Sequence, residues 1–245
     1  MELGLAHKTV LVTGGASGLG AAIGAAFVRE GSNLVVFDRA GAQSAPGSET
    51  GGLFVQGDVT RSEDIEQALV AAREKFGGVD VLVNNAGIWP STRVVDMPDD
   101  EWQRTLLVNL TGAFLFSKRF VRDLLAEKRP GVVVNIVSPV AYQGSSNGHS
   151  HYAASKAGLV SFTRSLALEV AGDGVRVVAV APGVMHTQMT AATLDDRGES
   201  YRKRIPIGRF VTPQEVANVV VFMSSGLASS VTGTTIDATG GMLGF

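Results

Sequence analysis

Thr9-Val10-Leu11-Val12-Thr13-Gly14-Gly15-Ala16-Ser17-Gly18-Leu19-Gly20 passes from a β-branched apolar run through glycines into an alanine-rich segment. The order reads as strand, tight turn and helix. Glycine permits the turn and a close approach of backbone to ligand, while the free N–H groups and dipole of the helix start stabilise an anion. A pyrophosphate fits that description, although such a turn also serves as an ordinary connection. Asp38 adds weight. It closes Val35-Val36-Phe37-Asp38, about twenty residues after Gly18, where the ribose-binding acid of a dinucleotide fold belongs. Its plainer role is that of a solvated turn residue. A carboxylate there accepts hydrogen bonds from ribose hydroxyls and repels a 2′-phosphate, so NAD is expected over NADP. Arg39 softens that discrimination, but the glycine turn contains no basic residue to hold an extra phosphate.

Working outward, the same alternation of short β-branched run, turn and amphipathic segment recurs along the chain. Strands are expected at residues 9–12, 34–37, 53–56, 79–83, 132–137, 175–180 and 234–237. Several are apolar almost throughout, as strands buried on both faces should be. The expected architecture is a single α/β domain over residues 1–245, a Rossmann-type doubly wound parallel sheet of about seven strands with helices on both faces. Thr60-Arg61-Ser62-Glu63 and Thr212-Pro213-Gln214-Glu215 read as capping boxes. Leu159, Phe162, Leu166 and Val170 form an apolar stripe on a helix that should stop at Gly172 or Gly174. Residues 40–52, rich in Gly, Ser and Ala and containing Pro46, read as a loop. Residues 187–204 are polar and charged, and read either as a substrate lid or as a solvated helical excursion.

With 245 residues and 45% hydrophobic content, the chain can bury one substantial core. A net charge of -2 without a basic block gives no footprint for nucleic acid or an anionic membrane, which points to small-molecule partners. There are no cysteines, so disulfides and thiolate metal sites are excluded. No cluster has metal-ligand spacing, and no metal is expected. No apolar run has the length of a membrane span, the N-terminal residues lack a signal-peptide pattern, and a cytoplasmic protein is expected.

Tyr152-Ala153-Ala154-Ser155-Lys156 puts a phenol and an ammonium four residues apart, on one helix face. Tyrosine, with a pKa near 10, is a poor base at neutral pH, and a nearby cation is expected to lower that value. Taken alone, such a pair reads as a surface pair. Ser138 follows an apolar strand, at the carboxyl edge where open parallel sheets bind ligands; a turn serine is the plainer role. The motifs appear in series: the glycine turn, Asp58-Val59, Asn84-Asn85-Ala86-Gly87, Asn109, Ser138, Tyr152 with Lys156, and Pro182-Gly183 followed by Thr187. In this series nearly the whole chain resembles the classical short-chain dehydrogenase/reductase family.

The resemblance implies that Ser138 hydrogen-bonds the substrate oxygen, that Tyr152 exchanges a proton with it, and that Lys156 binds the ribose and lowers the tyrosine pKa. Asn109 would hold a relay water, or would equally be a helix-bending core amide. The cofactor would be held by Gly14, Ser17, Gly18, Leu19 and Gly20, by Asp38, and at the adenine by Asp58 and Val59. Asn85, Ala86 and Gly87 would pass the adenosine ribose, Tyr152 and Lys156 would reach the nicotinamide end, and Pro182, Gly183, Val184 and Thr187 would line it. Asp58 also reads as a helix cap. The resemblance further implies a homotetramer packed through residues 109–125 and 152–170. Two departures stand out. Ser138 and Tyr152 are 14 apart, one more than is common in the family, and the segment between Asp38 and Asp58 is short and glycine-rich.

Trp89, Val140, Tyr142, His149, Met185 and Met189 are expected around the substrate, a mostly apolar set. His149 and His151 read as exposed loop histidines rather than a second base. The first functional reading is thus an NAD-dependent oxidoreductase that interconverts a hydrophobic secondary alcohol and its ketone. The alternative is a 3-oxoacyl-thioester reductase of the acyl-carrier-protein type, against which Asp38 counts because many such reductases use NADPH. A non-catalytic NAD-binding sensor is disfavoured by the presence of Ser138, Tyr152, Lys156 and Asn109 together.

Overall fold

The computed structural model describes residues 2–41, 52–145 and 147–244, the side chains of residues 192, 193 and 197 excepted. Seven parallel strands form one sheet: β1 (Thr9–Thr13), β2 (Asn33–Asp38), β3 (Leu53–Gln56), β4 (Val81–Asn84), β5 (Gly131–Ile136), β6 (Val175–Pro182) and β7 (Thr235–Ala238), in the order β3-β2-β1-β4-β5-β6-β7. Each lies within a few residues of its expected position. The order reverses between β1 and β4, and the crevice at that reversal, beyond the carboxyl ends of the strands, is where an open parallel sheet binds its ligand.

The strand alternation divides the core in two. Val10 and Val12 of β1 face α1 (Gly18–Arg29) and α8 (Pro213–Ser224), meeting Ile23, Phe27, Val216 and Val220. Leu11 faces the other way, towards α2 (Ser62–Phe76), α4 (Gly112–Glu127) and α6 (Ser150–Val170), which contribute Ile65, Phe116, Phe120 and Leu166. β1, β4 and β5 are buried along their whole lengths. Fully burying each large apolar side chain contributes roughly 1.5–3 kcal/mol, which is why the strands read as apolar throughout.

A polar chain crosses the middle of this core. Asn84 Nδ2 donates to Ser117 Oγ at 3.0 Å and to Asn135 Oδ1 at 2.8 Å, and Asn135 Nδ2 donates to Thr163 Oγ1 at 2.9 Å. Asn84 and Asn135 are register partners in β4 and β5, so these bonds lock the sheet centre to α4 and α6. The first residue of the Asn84-Asn85-Ala86-Gly87 motif is therefore a core residue rather than part of a turn.

The remaining helices are α3 (Asp99–Leu106), a short α5 (Val140–Gln143) and α7 (Ala191–Arg202). The Thr212 capping box forms as expected, Thr212 Oγ1 accepting from Glu215 N–H. The box at Thr60 does not. α2 starts at Ser62 without a side-chain cap, and Thr60 instead gives its N–H, the donor a Glu63 carboxylate would take in a box, and its hydroxyl to Asp58 Oδ1, at 2.9 and 2.8 Å. α6 passes through a 3-10 turn, Ala171–Asp173, to Gly174 at φ +78. The expected loop at 40–52 falls mostly outside the described residues.

Candidate active site

One cavity of about 450 Å³ opens at the sheet reversal, and it is lined by every residue that the sequence assigns to cofactor binding. At its floor the glycine turn leaves β1. Gly14 has φ +64, and a Cβ there would stand 2.9 Å from Ala86 Cα; a Cβ on Gly20 would overlap the Gly14 carbonyl oxygen. The turn and α1 can close on each other only through glycine. Ser17, at the N-cap of α1, makes no side-chain capping bond. The first amides of the helix thus have no capping side chain and face the same cavity, a donor set suited to an anionic pyrophosphate.

Asp38 stands at the end of β2. Its Oδ2 accepts from Ala16 N–H at 2.9 Å and its Oδ1 from Ala40 N–H at 3.0 Å, which fix the carboxylate beside the turn and leave further lone pairs for hydroxyl donors. Asp58 and Val59 line the same end. Burial acts to raise the Asp58 pKa, but the Thr60 hydrogen bonds and the charges of Arg39 and Arg104 hold it below its ordinary value. Asn85 Nδ2 donates to the carbonyls of Thr13 and Gly14, both at 3.0 Å, and so ties the end of β4 to the glycine turn. These residues fit a dinucleotide in shape and in donor chemistry.

At the other end, Ser138 follows β5, and Tyr152 and Lys156 stand one turn apart on α6. The Tyr152 phenol is hydrogen-bonded to the Ser138 hydroxyl, and burial pushes its pKa up to about 12 against the downward pull of that bond. Burial brings Lys156 down to about 8. Its Nζ donates to Ile136 O at 2.7 Å and lies 5.7 Å from the centroid of the Tyr152 ring. Burial therefore outweighs any lowering of the tyrosine pKa by Lys156. Both groups lose hydration, and desolvation disfavours each charged form.

Asn109 does not line the cavity. It sits in a π-helical turn, Leu107–Thr111, just before α4. Its Oδ1 accepts from Ile88 N–H at 2.8 Å, and its Nδ2 donates to Ile88 O at 3.0 Å and to Ser155 Oγ at 3.2 Å. Both amide protons are used, so the side chain acts as a clamp between the chain after β4 and α6. Gly87 keeps the way open between them: a Cβ there would stand 3.2 Å from Asn109 Oδ1 and 3.8 Å from Lys156 Nζ.

Of the expected substrate-side residues, Trp89, Val140, His149, Met185 and Met189 line the cavity. Tyr142 does not; it is 37% exposed, and its hydroxyl donates to Thr235 Oγ1 at 2.6 Å. His149 and His151 are not exposed loop residues. They are 7% and 0% exposed, with His149 Nδ1 2.7 Å from Pro90 O and His151 Nε2 3.1 Å from Glu101 Oε1. Leu194 and Tyr201 of α7, and Ile88, Ser145 and Met242, are also in the wall. Their contribution depends on chain crossings that no local pattern carries. Among the described residues there is no group of acidic, histidine or cysteine side chains able to hold a metal ion. No described helix is long and apolar enough to cross a membrane.

Residues 14–243 match the family model described as enoyl-(acyl carrier protein) reductase. The chain is 38% identical over 245 residues to the 3-oxoacyl-[acyl-carrier-protein] reductase FabG of Vibrio cholerae, covering 98% of this chain and 99% of that protein. It belongs to the short-chain dehydrogenase/reductase family. Against the FabG of Aquifex aeolicus the identity is 39%, over 99% of this chain and 100% of that one. Among solved structures, a short-chain dehydrogenase/reductase of Mycobacterium marinum superposes with a TM-score of 0.92 at 28% identity, over 98% of this chain and 97% of that one. A 3-ketoacyl-(acyl-carrier-protein) reductase of Brucella melitensis, solved in complex with NADH, gives 0.89 at 32% identity over 98% of this chain and 99% of that one. As a member of the short-chain dehydrogenase/reductase family, this protein is an oxidoreductase.

Proposed function

We propose that this protein reduces a 3-oxoacyl thioester to the 3-hydroxyacyl thioester with NADH. The observation that carries the reading is the meeting of Ser138, Tyr152 and Lys156 in the cavity that Asp38 and the glycine turn also line. A reduced nicotinamide, when bound, supplies the hydride. The chain's own groups handle the oxygen: the Ser138 hydroxyl donates a hydrogen bond to the substrate carbonyl, and the Tyr152 phenol gives it a proton as negative charge develops. A phenol held near pKa 12 is protonated at neutral pH and is a stronger acid than the alcohol that forms when it protonates the developing alkoxide, which suits the reducing direction. Lys156 holds the ribose and places a cation beside the phenol. The Asn109 side chain acts indirectly, through Ile88 and Ser155.

Asp38 supports NADH over NADPH because a 2′-phosphate beside a fixed carboxylate is repelled. The sequence counted the same residue against the thioester reading. The Brucella reductase solved in complex with NADH weighs against that objection, and the FabG relatives favour a thioester over the simple secondary alcohol that the sequence put first. The apolar wall supports a second reading, an NAD-linked dehydrogenase of hydrophobic secondary alcohols. Rates with acetoacetyl-N-acetylcysteamine thioester and with simple ketones, each with NADH and NADPH, separate the two. The proposal expects the thioester with NADH to be the best pair; a preference for unfunctionalised ketones would favour the second reading.

α7 is proposed as the substrate lid, supported by Leu194 and Tyr201 in the cavity wall. A homotetramer built through α4 and α6 is supported by exposed apolar groups on or beside them, Leu107, Phe114, Leu125 and Leu168. Sedimentation at micromolar concentration should show four chains of 25.5 kDa; a monomer would contradict it.

A further inference from the structure

α6 begins at Ser150, so Tyr152 is carried in the first turn of its helix, where the N–H groups have no acceptors within the helix and the chain is most easily displaced. The N-cap, His149, makes no side-chain capping bond. From within the helix, Ser155 Oγ donates to Tyr152 O at 2.7 Å. From outside, the turn is held by two imidazoles: His149 Nδ1 lies 2.7 Å from Pro90 O, and His151 Nε2 lies 3.1 Å from Glu101 Oε1. His151 immediately precedes Tyr152, and the proton chemistry makes no use of it.

The His151 ring is 0% exposed, and its Nδ1 has no partner among the described residues. A carboxylate only accepts, so Nε2 carries the hydrogen, and its bond to Glu101 is the ring's one polar contact among those residues. Without the carboxylate a buried N–H loses its acceptor, and the first turn can recover one only by shifting. Glu101 is itself fixed. Its Oε2 accepts from Thr92 Oγ1 at 3.1 Å, and Thr92 N–H donates to Gly148 O at 2.8 Å, just before α6. One carboxylate of α3 thereby joins segment 90–92 to the start of α6. Glu101 also lines a pocket that adjoins the main cavity and shares Gly87, Trp89 and Met189 with it, but both its oxygens are engaged by protein groups. That distinguishes holding the helix from binding the substrate.

We propose that Glu101, acting through His151, is a positioning residue for Tyr152: the bond between them fixes the first turn of α6 so that the phenol stays hydrogen-bonded to Ser138 and aimed at the substrate oxygen. The inference rests on the reading of Tyr152 as proton donor and not on which carbonyl compound is reduced. A misplacement of a reacting group by about 1 Å is enough to lower the rate about 100-fold, so a small shift of this turn has a large effect on the chemical step.

The test measures kcat, KM and NADH affinity in the parent, Glu101→Ala, Glu101→Gln, His151→Leu and the double variant Glu101→Ala/His151→Leu, with whichever of acetoacetyl-N-acetylcysteamine thioester and a simple ketone the parent reduces faster. Failure of the thioester reading therefore leaves the test standing, whereas a parent that reduces neither compound overturns that reading and this inference together. Glu101→Ala should lower kcat at least about tenfold while KM and NADH affinity stay within about threefold. A smaller loss of kcat overturns the proposal. So does a larger rise in KM with kcat kept, because the carboxylate would then be binding substrate. The double variant should fall no more than about threefold below the weaker single variant, since both substitutions break one bond; a loss approaching the product of the two single losses shows that the residues act separately and overturns the coupling. Glu101→Gln, which keeps an acceptor oxygen for the His151 Nε2–H, should hold kcat within about threefold. A greater loss in that variant overturns the proposal even where the alanine or leucine variant does not fold.

Discussion

Tyr152 and Lys156 could be read from the sequence because four-residue spacing fixes a shared helix face before any tertiary contact exists. Their protonation could not, because it is set by burial. Lys156 gives a consequence for stability. Its pKa is about 8 in the folded protein against an ordinary 10.5, so between those values the unfolded chain binds the extra proton and stability rises with pH. Below pH 8 the cost of burying the ammonium is present in full. Lys156→Met removes the titration, and its stability relative to the parent should decline by up to about 3 kcal/mol between pH 8 and 10. Urea unfolding at stepped pH measures this, and a constant gap would show that Lys156 does not titrate in that window. Above pH 10 the sign reverses for Tyr152, whose folded pKa of about 12 means that stability is lost as pH rises. At the adenine end, Asp38→Ala should narrow the preference for NADH over NADPH at least about tenfold by removing the repulsion of a 2′-phosphate. An unchanged ratio of kcat/KM for the two cofactors would refute that role.

At the scale of elements, the glycine turn was readable because its spacing is dictated by backbone clearance. Gly20→Ala tests that clearance: a Cβ overlapping the Gly14 carbonyl must push α1 off the turn. The variant should lose about 1–3 kcal/mol of stability from the overpacked contact. NADH affinity should fall with it; calorimetric titration at parental strength would contradict the close approach. The two capping motifs show where local pattern stops deciding. Thr212 N–H is free to meet Glu215 and the box closes on α8, whereas the Thr60 N–H is already held by Asp58 two residues away. Asn109 is similar. Its position in the series of motifs was plain, but the π-turn and the clamp on Ile88 arise from the packing of three segments and leave no periodic trace.

For the molecule as a whole, the inner strands were found within a few residues because they are buried on both faces and carry apolar runs that a half-exposed strand would not, while the edge strands β3 and β7 are only partly buried. The cofactor half of the cavity follows from that order, since strand ends at the sheet reversal converge whatever their side chains. The substrate half does not. His149 is held by Pro90, a meeting no local pattern carries, and composition at 187–204 offered a lid without saying that Leu194 and Tyr201 are the side chains that reach the wall. This is why the cofactor half could be placed from sequence and the substrate wall only from structure. The most direct test of the whole account follows oxidation of NADH by acetoacetyl-N-acetylcysteamine thioester in the parent and in Tyr152→Phe, with NADH binding measured on the same preparations. The account predicts turnover in the parent, a loss of at least about 100-fold in the variant, and NADH affinity unchanged within about threefold. Substantial turnover by a variant that lacks the phenolic hydroxyl would contradict it.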